Sequence, residues 1–250
     1  MDMPSVWLAP PSVLGLEAGE IHIWRIKLAE PDAAIIHCYS LLSPDERIRA
    51  NRFHFPRDRN RYVIARSMLR RVLGRYLSLD PKRLQFIYGE MGKPEVEQKP
   101  NSRHLRFNLS HSGEFALIAL SWNLSVGIDV ERVNHQLATE QIAERFFSLR
   151  ERAILRMIPS GQKAQAFFSC WTRKEAYLKA LGKGLSVSLD SFDIECAPGL
   201  DPALLRPAPE DCEGACWRIF VLNPAVGYVG ALSAEGRNHS LQYIDPTAAK

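Results

Sequence analysis

Val126-Gly127-Ile128-Asp129-Val130-Glu131 is the stretch that decides how this chain is organised. Apolar and polar residues alternate as in a β-strand, so Ile128 and Val130 point to one face and Asp129 and Glu131 to the other. Two neighbouring carboxylates repel each other, and a positive charge is expected between them. Mg²⁺ is the simplest candidate, because it favours one or two carboxylates together with phosphate oxygens. The alternative is an edge strand whose solvent face happens to be acidic.

The composition is that of an ordinary globular protein. The chain has 250 residues, 46% hydrophobic and 24% charged, with a formal net charge of +4. This length suits one large domain or two subdomains of about 100 residues each. Many arginines are concentrated between Arg47 and Arg75. Such a cluster suits an anionic ligand or an acidic protein partner, although a solvated helix face is the simpler interpretation for most of them.

The five cysteines are scattered and form no CxxC pair, which argues against a zinc site or a disulfide framework and favours a reducing compartment. Residues 1–16 contain no basic residue and three prolines, so neither a signal peptide nor a transit peptide is predicted. No apolar run approaches the ~20 residues that span a bilayer. We therefore expect a cytoplasmic protein without membrane contact.

Hydrophobic periodicity predicts an α+β protein whose second half repeats the order of the first. A Ser-x-x-Glu capping box at Ser43 and a second cap at Ser148 each predict the start of a helix. Further helices are predicted at 33–42, 57–77, 141–147 and 163–181. Strands are predicted at 21–28, 84–88, 115–122, 127–131, 192–195, 217–222 and 228–232. The turn Asn123-Leu124-Ser125 is expected to join strand 115–122 to the acidic strand as a hairpin.

A weak internal similarity links the two halves. Arg52-Phe53 precedes the first long helix, and Arg145-Phe146 precedes the second. We expect two similar subdomains, 1–125 and 126–250, each with helices packed on a mostly antiparallel sheet. A cleft between them is a common place for a ligand, so we expect the active site there.

Three further segments carry residues suited to phosphate chemistry. Glu175 and Lys179 share a helix face, and beside the acidic strand they would add a third carboxylate and a cation; alone they are a surface pair worth about 0.2–0.5 kcal/mol. Ser110-His111-Ser112 precedes a strand rather than ending one, which argues against a nucleophile elbow and makes His111 a phosphate-binding or strand-capping residue. Lys93 lies in a constrained loop. No Walker A or GxGxxG sequence occurs.

Four of these segments, taken in order and at their observed spacing, resemble the Sfp-type 4′-phosphopantetheinyl transferases. They are Gly92-Lys93-Pro94, Phe107-Asn108-Leu109-Ser110-His111-Ser112, Gly127-Ile128-Asp129-Val130-Glu131 and Trp171-Thr172-Arg173-Lys174-Glu175-Ala176-Tyr177-Leu178-Lys179. Arg52-Phe53 and Gly182-Lys183-Gly184-Leu185-Ser186 also match. The resemblance covers about residues 20–232.

This resemblance implies a pseudo-twofold α/β architecture with coenzyme A held between the halves. It implies Mg²⁺-dependent transfer of phosphopantetheine, with Mn²⁺ as an alternative ion, from coenzyme A to a serine of an apo acyl or peptidyl carrier protein, an acidic helical domain. Adenosine 3′,5′-bisphosphate is the product released. The implied metal ligands are Asp129, Glu131 and Glu175. The implied coenzyme A contacts are Arg49, Gly92, Lys93, Asn108, Leu109, Ser110, His111, Lys174 and Lys179.

The roles expected from the resemblance follow from the chemistry of pyrophosphate cleavage. Asp129 takes part through the metal, and Glu175 also acts as the base for the incoming serine, directly or through water. Lys179 stabilises charge on the departing phosphate. Bacterial family members of this length often act as monomers, so we expect a monomer.

Three alternatives remain open at this stage. A metal-dependent phosphohydrolase or nucleotidyl transferase would use the same acids without a carrier protein. A nucleic-acid binder would use the arginine-rich segment, but that segment lacks interleaved exposed aromatics and any recognisable motif, so we expect no nucleic-acid partner. A degenerate scaffold is disfavoured because the acids and Lys179 are intact.

Overall fold

The computed structural model describes residues 6–29, 31–89, 91–98, 103–137, 139–197, 199–211 and 214–248. The helices are α1 (Asp32–Ser40), α2 (Pro44–Asn51), α3 (Pro56–Leu77), α4 (Thr139–Phe146), α5 (Leu149–Met157) and α6 (Ser160–Leu181). The strands are β1 (Glu20–Lys27), β2 (Phe86–Tyr88), β3 (Pro94–Val96), β4 (Leu105–Ser112), β5 (Phe115–Trp122), β6 (Val126–Arg132), β7 (Asp193–Ile194), β8 (Leu204–Arg206), β9 (Trp217–Leu222), β10 (Tyr228–Glu235) and β11 (Ser240–Ile244). This is the α+β fold expected from the sequence.

Two main sheets form the centre of the molecule. One has the strand order β11-β1-β5-β4 and the other the order β6-β10-β9. All of these pairs are antiparallel except β1 with β11. Short pairs β2-β3 and β7-β8 complete the sheet structure of the described residues.

The predicted hairpin between strand 115–122 and the acidic strand is wrong. β5 pairs with β1 on one edge and β4 on the other, so it has no free edge left for β6. Asn123, with a φ of 62°, turns the chain out of the first sheet, and β6 pairs instead with β10. The acidic strand is therefore an edge strand of the second sheet, as its alternative interpretation proposed, but its acidic face is covered rather than solvated.

The last strand, β11, does not follow the expected division into subdomains 1–125 and 126–250. β11 lies in the first sheet beside β1, with Glu20 opposite Ser240 and Trp24 opposite Ile244. Arg25 anchors this return, because its Nε donates to Oδ2 of Asp245 at 2.8 Å. The break between β5 and β6 separates the two sheets, but the C-terminal strand belongs with the first.

The apolar residues of β1 pack on both of its faces. Trp24 and Ile26 lie in the core formed with α1 and α3, whereas Ile21 and Ile23 pack against Ile128 on the second sheet. The half-buried strand predicted from alternation is thus a central strand between two cores. This sandwich brings β4 and β6, each at the edge of its sheet, next to each other.

The structural repeat lies in the two Ser-x-x-Glu sequences. Glu46 and Glu151 each accept a hydrogen bond from the backbone N–H of the serine three residues earlier, and each is buried. Each also forms an ion pair with the long helix that follows, Glu46 with two arginines of α3 and Glu151 with a lysine of α6. The Arg-Phe dipeptides are not equivalent, because Arg52-Phe53 follows its capping-box helix and Arg145-Phe146 precedes the other.

Gly127 allows β6 to lie directly on helix α6. A Cβ atom at this position would stand 2.1 Å from the carbonyl oxygen of Ala176 and 2.2 Å from the backbone nitrogen of Ala180. Both atoms belong to the helix backbone and cannot move aside cheaply. The glycine therefore sets the distance between the acidic strand and the helix that carries Glu175 and Lys179.

Candidate active site

A cleft of about 540 Å³ lies where β4, β6 and α6 meet the helices of the first half. Most of the residues expected to form the site line it: Arg49, Gly92, Asn108, Leu109, Ser110, His111, Asp129, Glu131, Glu175 and Lys179. It is also lined by Tyr62, Ala65, Arg66, Tyr88, Pro94 and Trp171. The cleft thus joins residues from both halves of the chain.

Side chains of β4 fasten it to the backbone and carboxylates of β6. Asn108 accepts a hydrogen bond from the N–H of Ile128 at 2.9 Å. Ser110 donates to Oδ1 of Asp129 at 2.7 Å, and Ser112 donates to Oε2 of Glu131 at 2.7 Å. Successive inward side chains of one edge strand therefore position the two acids of the other.

Asp129 has a partner on only one of its two oxygens. Lys179 Nζ lies 2.6 Å from Oδ1, which also accepts the Ser110 hydroxyl. Oδ2 is buried and has no hydrogen-bond partner within the described part of the chain. A buried carboxylate oxygen without a partner is costly unless a ligand or ion completes it.

The other two acids of the cleft are held in surroundings that disfavour their charge. Burial and the Asp129 carboxylate raise the pKa of Glu175. Burial raises the pKa of Glu131, and the charges of Asp129 and Glu175 add to this effect. Ionised carboxylates so close together are stabilised when a cation lies between them.

His111 stands at the mouth of the cleft among positive charges. Burial lowers the pKa of His111, and the positive charges of Lys179, Arg61 and Arg49 lower it further. The ring is therefore neutral at pH 7, because its ordinary pKa is already near 6.5. A neutral imidazole can donate a hydrogen bond to a phosphate oxygen, but it adds no positive charge.

Several residues of the first half that line the cleft were not predicted from the sequence. Arg66 is buried, pairs with Glu46, and donates to the Tyr88 hydroxyl at 3.2 Å. Tyr62 and Arg66 are four residues apart on α3, a spacing that could have placed them on one face. Trp171, expected in a buried stripe, lies one turn before Glu175 and borders the cleft. No sequence signal marked Tyr88.

Two of the expected coenzyme A contacts, Lys174 and Lys93, are not among the residues that line the cleft. Lys174 is fully buried away from the cleft, where its Nζ lies 2.6 Å from Oε1 of Glu151 and 2.8 Å from the carbonyl of Phe192. Lys93 lies behind the cleft wall and donates to the carbonyl oxygens of Lys179 at 2.6 Å, Val126 at 3.2 Å and Ala180 at 3.4 Å. Both ammonium groups are used in joining parts of the fold.

The chemistry of the acids fits a hard divalent cation. Among the described residues, no group of three potential ligands is arranged tightly enough to count as a preformed metal site. The cleft nevertheless offers three carboxylates and an unpartnered Asp129 Oδ2, an all-oxygen set of the kind Mg²⁺ uses together with phosphate oxygens. Lys179 supplies the positive charge that partly compensates them in this arrangement.

Comparison with known proteins places both halves of the chain in one family. A family model described as the 4′-phosphopantetheinyl transferase superfamily matches residues 125–232, and one described as 4′-phosphopantetheinyl transferase, N-terminal, matches residues 29–123. The chain is 40% identical to the 4′-phosphopantetheinyl transferase HetI of Nostoc sp., covering 92% of this chain and 94% of that protein. The chain belongs to the 4′-phosphopantetheinyl transferase family.

Further relatives extend this similarity. The putative 4′-phosphopantetheinyl transferase slr0495 of Synechocystis sp. is 34% identical over 78% of this chain and 78% of its own length. The 4′-phosphopantetheinyl transferase Sfp of Bacillus subtilis is 34% identical over 62% of this chain and 66% of its own length. The resemblance inferred from the four motifs is confirmed, and the protein is an enzyme of the transferase class.

The transferase has no candidate for a membrane-crossing helix in the described ranges, since none of their helices combines sufficient length with sufficient hydropathy.

Proposed function

We propose that this enzyme transfers the 4′-phosphopantetheine group of coenzyme A to a serine of an apo acyl or peptidyl carrier protein. The serine Oγ forms the new bond to phosphorus, the pyrophosphate P–O bond breaks, and adenosine 3′,5′-bisphosphate leaves. The observation that carries this proposal is the meeting of Asp129, Glu131, Glu175 and Lys179 in one cleft between the two halves. A cluster of acids would suit many reactions of phosphate compounds, but membership of the 4′-phosphopantetheinyl transferase family favours this transfer.

Glu175 is the best placed group to take the proton from the serine hydroxyl. It lines the cleft and accepts no hydrogen bond from the described residues, so its carboxylate is available to a substrate. Its raised pKa makes it a stronger base than an ordinary glutamate. Trp171, one turn earlier on α6, lines the same cleft.

Lys179 is suited to the charge that develops on the departing phosphate. Its side chain is 29% exposed, so the ammonium group can reach a ligand as well as Asp129. Arg49 and His111 border the same cleft and are suited to the remaining anionic groups of coenzyme A. A positive group already in place stabilises a developing anion without reorganising solvent.

Asp129, Glu131 and Glu175 are the residues that would hold Mg²⁺, with Mn²⁺ as an alternative. When bound, the ion would neutralise charge on the phosphate oxygens. The hydrogen bonds from Ser110 and Ser112 keep the first two carboxylates in position before any ion arrives. Hydrogen bonds of this kind are important because the orientation of the ligating carboxylates strongly affects the affinity for the metal ion.

We propose that the enzyme works as a monomer in the cytoplasm. All residues assigned to the site come from one chain, which supports a complete site in each monomer. The thiols of Cys38, Cys170, Cys196 and Cys216 are free, which suits a reducing compartment, while Cys212 lies outside the described residues.

Intact-mass spectrometry of a purified apo carrier protein tests the proposed transfer. Incubation with the enzyme, coenzyme A and Mg²⁺ should add about 340 Da, the mass of one phosphopantetheine group. Asp129→Ala should abolish this gain. Glu95→Ala serves as the matched control, because Glu95 pairs with Arg106 outside the cleft and its side chain is 44% exposed. Failure to modify any of several apo acyl and peptidyl carrier proteins, without binding of coenzyme A, would reject the proposal.

A further inference from the structure

Two guanidinium groups stack against a single tyrosine on the helices of the first half. The Cζ atoms of Arg47 and Arg59 lie 5.4 Å and 5.0 Å from the centre of the Tyr39 ring. Arg47 is fixed by a hydrogen bond from its Nη2 to the carbonyl oxygen of Ser40 at 3.1 Å, and its buried Nε has no partner in the described ranges. The two like charges thus converge on one ring.

Among the described residues, neither arginine is paired with a carboxylate. The ion pairs of the described residues include Arg57 and Arg61 with Asp58, but none that involves Arg47 or Arg59. The nearby Asp45 is instead engaged with the Ser43 hydroxyl at 2.6 Å. Two unpaired guanidinium groups held close together favour binding of an anionic partner.

Exposed apolar side chains flank these charges. Ile36 is 74% exposed and precedes Tyr39 by three residues on α1, while Phe55 is 60% exposed and precedes Arg59 by four. The spacing of Ile36 and Tyr39 places them on the same side of α1, and Phe55 is the residue immediately before the first turn of α3. We call Ile36, Tyr39, Arg47, Phe55 and Arg59 the arginine–tyrosine surface. The expectation that the arginine-rich segment lacks exposed aromatic residues is wrong, because Phe55 is one.

The arginine–tyrosine surface continues into the active-site cleft. Tyr62 follows Arg59 by three residues on α3, a spacing that places both on one side of the helix. Tyr62 lines the cleft together with Arg49, whose Cζ lies 5.6 Å from the centre of the Tyr62 ring. Phe53 contacts Tyr62, with ring centres 5.4 Å apart. A partner bound on this surface would therefore lie beside the entrance through which an acceptor must pass.

We propose that the arginine–tyrosine surface binds an acidic amphipathic helix of the acceptor protein. This inference rests on the proposed function, because it assumes a protein acceptor. Carboxylates of the helix pair with Arg47 and Arg59, and its apolar side chains pack on Ile36 and Phe55. Arginine and aromatic residues are the types enriched at the centres of protein interfaces. The position at the cleft entrance favours the acceptor over a nucleic acid, which the proposed reaction does not require.

Steady-state kinetics with an apo acyl carrier protein test this surface. The double variant Arg47→Glu/Arg59→Glu should raise KM for the carrier roughly tenfold at low ionic strength, because reversed charges repel an acidic partner. KM for coenzyme A and kcat should stay unchanged, and the difference should shrink at high salt. The matched control is Arg218→Glu/Arg237→Glu, which makes the same charge change far from the cleft, with Arg218 also stacked on an aromatic ring, that of Phe220.

The outcomes separate this proposal from the proposed function. Transfer by the wild type with an unchanged carrier KM in the double variant would overturn the docking surface alone, as would an equal rise in the control. A rise in KM for coenzyme A instead would assign the surface to that substrate. Salt-sensitive binding of random RNA that the variant abolishes, without an effect on the carrier, would assign it to nucleic acid. Absence of transfer by the wild type would overturn both proposals.

Discussion

Two lysine–carboxylate pairs on helix α6 have the same N–O distance but different surroundings. Lys174 pairs with Glu151 and Lys179 with Asp129, each at 2.6 Å. The first pair is completely buried on both sides. In the second, the lysine side chain is 29% exposed and the aspartate 4%.

The pairs also differ in how far their hydrogen-bonding capacity is used. Glu151 accepts from the backbone nitrogens of Ser148 and Ile194, and Lys174 donates to the carbonyl of Phe192. Asp129, by contrast, keeps a buried oxygen without a partner among the described residues, and Lys179 reaches into a cleft. The hydrogen-bonding groups of the first pair are satisfied within the protein, whereas we propose that a ligand completes the second.

The surroundings of an ion pair therefore indicate whether it belongs to a functional site. A short distance alone does not, because both pairs share it. A buried pair whose every group is satisfied contributes to the fold, and removing one partner leaves an uncompensated charge. A pair that is unsatisfied and borders a cavity is a candidate for binding and catalysis.

Lys174→Met should have the largest effect, on folding. It leaves Glu151 buried without its cation, which we expect to lower the free energy of unfolding by about 3–5 kcal/mol. Chemical denaturation monitored by circular dichroism measures this loss. Glu151→Gln added to Lys174→Met should restore part of the stability, because it removes the uncompensated charge, although glutamine has one acceptor oxygen and can keep only one of the two backbone hydrogen bonds. A double variant no more stable than the single one would contradict this explanation.

Lys179→Met should instead affect the reaction. We expect kcat/KM for coenzyme A to fall by roughly 10²–10³, because a preorganised cation next to the departing phosphate is lost. The free energy of unfolding should change by about 1 kcal/mol or less, since the pair is partly solvated. Denaturation and transfer assays on one preparation provide both values. A variant that unfolds like Lys174→Met would show that the two pairs are alike.

Lys93→Met tests a lysine that joins the loop of Gly92 to the end of α6. Losing its hydrogen bonds to the carbonyls of Lys179, Val126 and Ala180 should cost about 1–2 kcal/mol of stability. We also expect a moderate loss of kcat, because Lys179 is no longer fixed at its backbone. Arg106→Met, at an exposed neighbour, is the control. Full activity with lower stability would limit Lys93 to folding.

The smallest expected effect is a divergence between activity and stability at mildly acidic pH. The pKa of Glu175 is raised in the folded protein, so the folded state binds more protons than the unfolded state between the ordinary glutamate pKa and the raised value. Lowering the pH through this window should slightly raise the melting temperature without ligand, while kcat falls as the base is protonated. In Glu175→Gln the rise in melting temperature should be smaller, because only Glu131 among the acids of the cleft then keeps a raised pKa, and the fall in kcat that comes from protonation of Glu175 should be lost. A melting temperature of the wild type that falls as steeply as that of the variant would contradict this sign.

Titration of Glu46 should lower the stability of the protein as the pH falls, the opposite of the effect expected for Glu175. Although burial opposes its ionisation, Arg70 and Arg66 lower its pKa. Its contribution to stability is therefore present above the ordinary glutamate pKa and is lost as the pH falls through its lowered value. Comparing Glu46→Gln with Glu175→Gln separates the two titrations.

Local sequence signals predicted much of the fold and the acids of the site. Alternation placed Asp129 and Glu131 on one face of β6, and capping residues located the starts of α2 and α5. Gly182 ends α6 in the left-handed conformation, with a φ of +70°, as its position after the helix predicted. These features depend on neighbours within a few residues, which the sequence displays directly.

Features that depend on distant partners could not be predicted in the same way. The absence of a free edge on β5 follows from its pairing with β1, nearly 100 residues earlier, so the hairpin with β6 was a reasonable but wrong expectation. Lys174 and Glu175 are adjacent in one motif, yet α6 turns one into the core and the other into the cleft. The orientation of α6 depends on long-range packing, including the contact of β6 with α6 at Gly127 and the binding of Lys174 by Glu151.

Calorimetric titration of coenzyme A with Mg²⁺ into Asp129→Asn and Glu151→Gln tests the central comparison most directly. We expect Asp129→Asn to melt like the wild type but to bind coenzyme A with Mg²⁺ at least about tenfold more weakly. Glu151→Gln should melt at a lower temperature but, while folded, bind as the wild type does. Wild-type affinity in Asp129→Asn, or lost affinity in folded Glu151→Gln, would contradict the assignment of one pair to the ligand and the other to the fold.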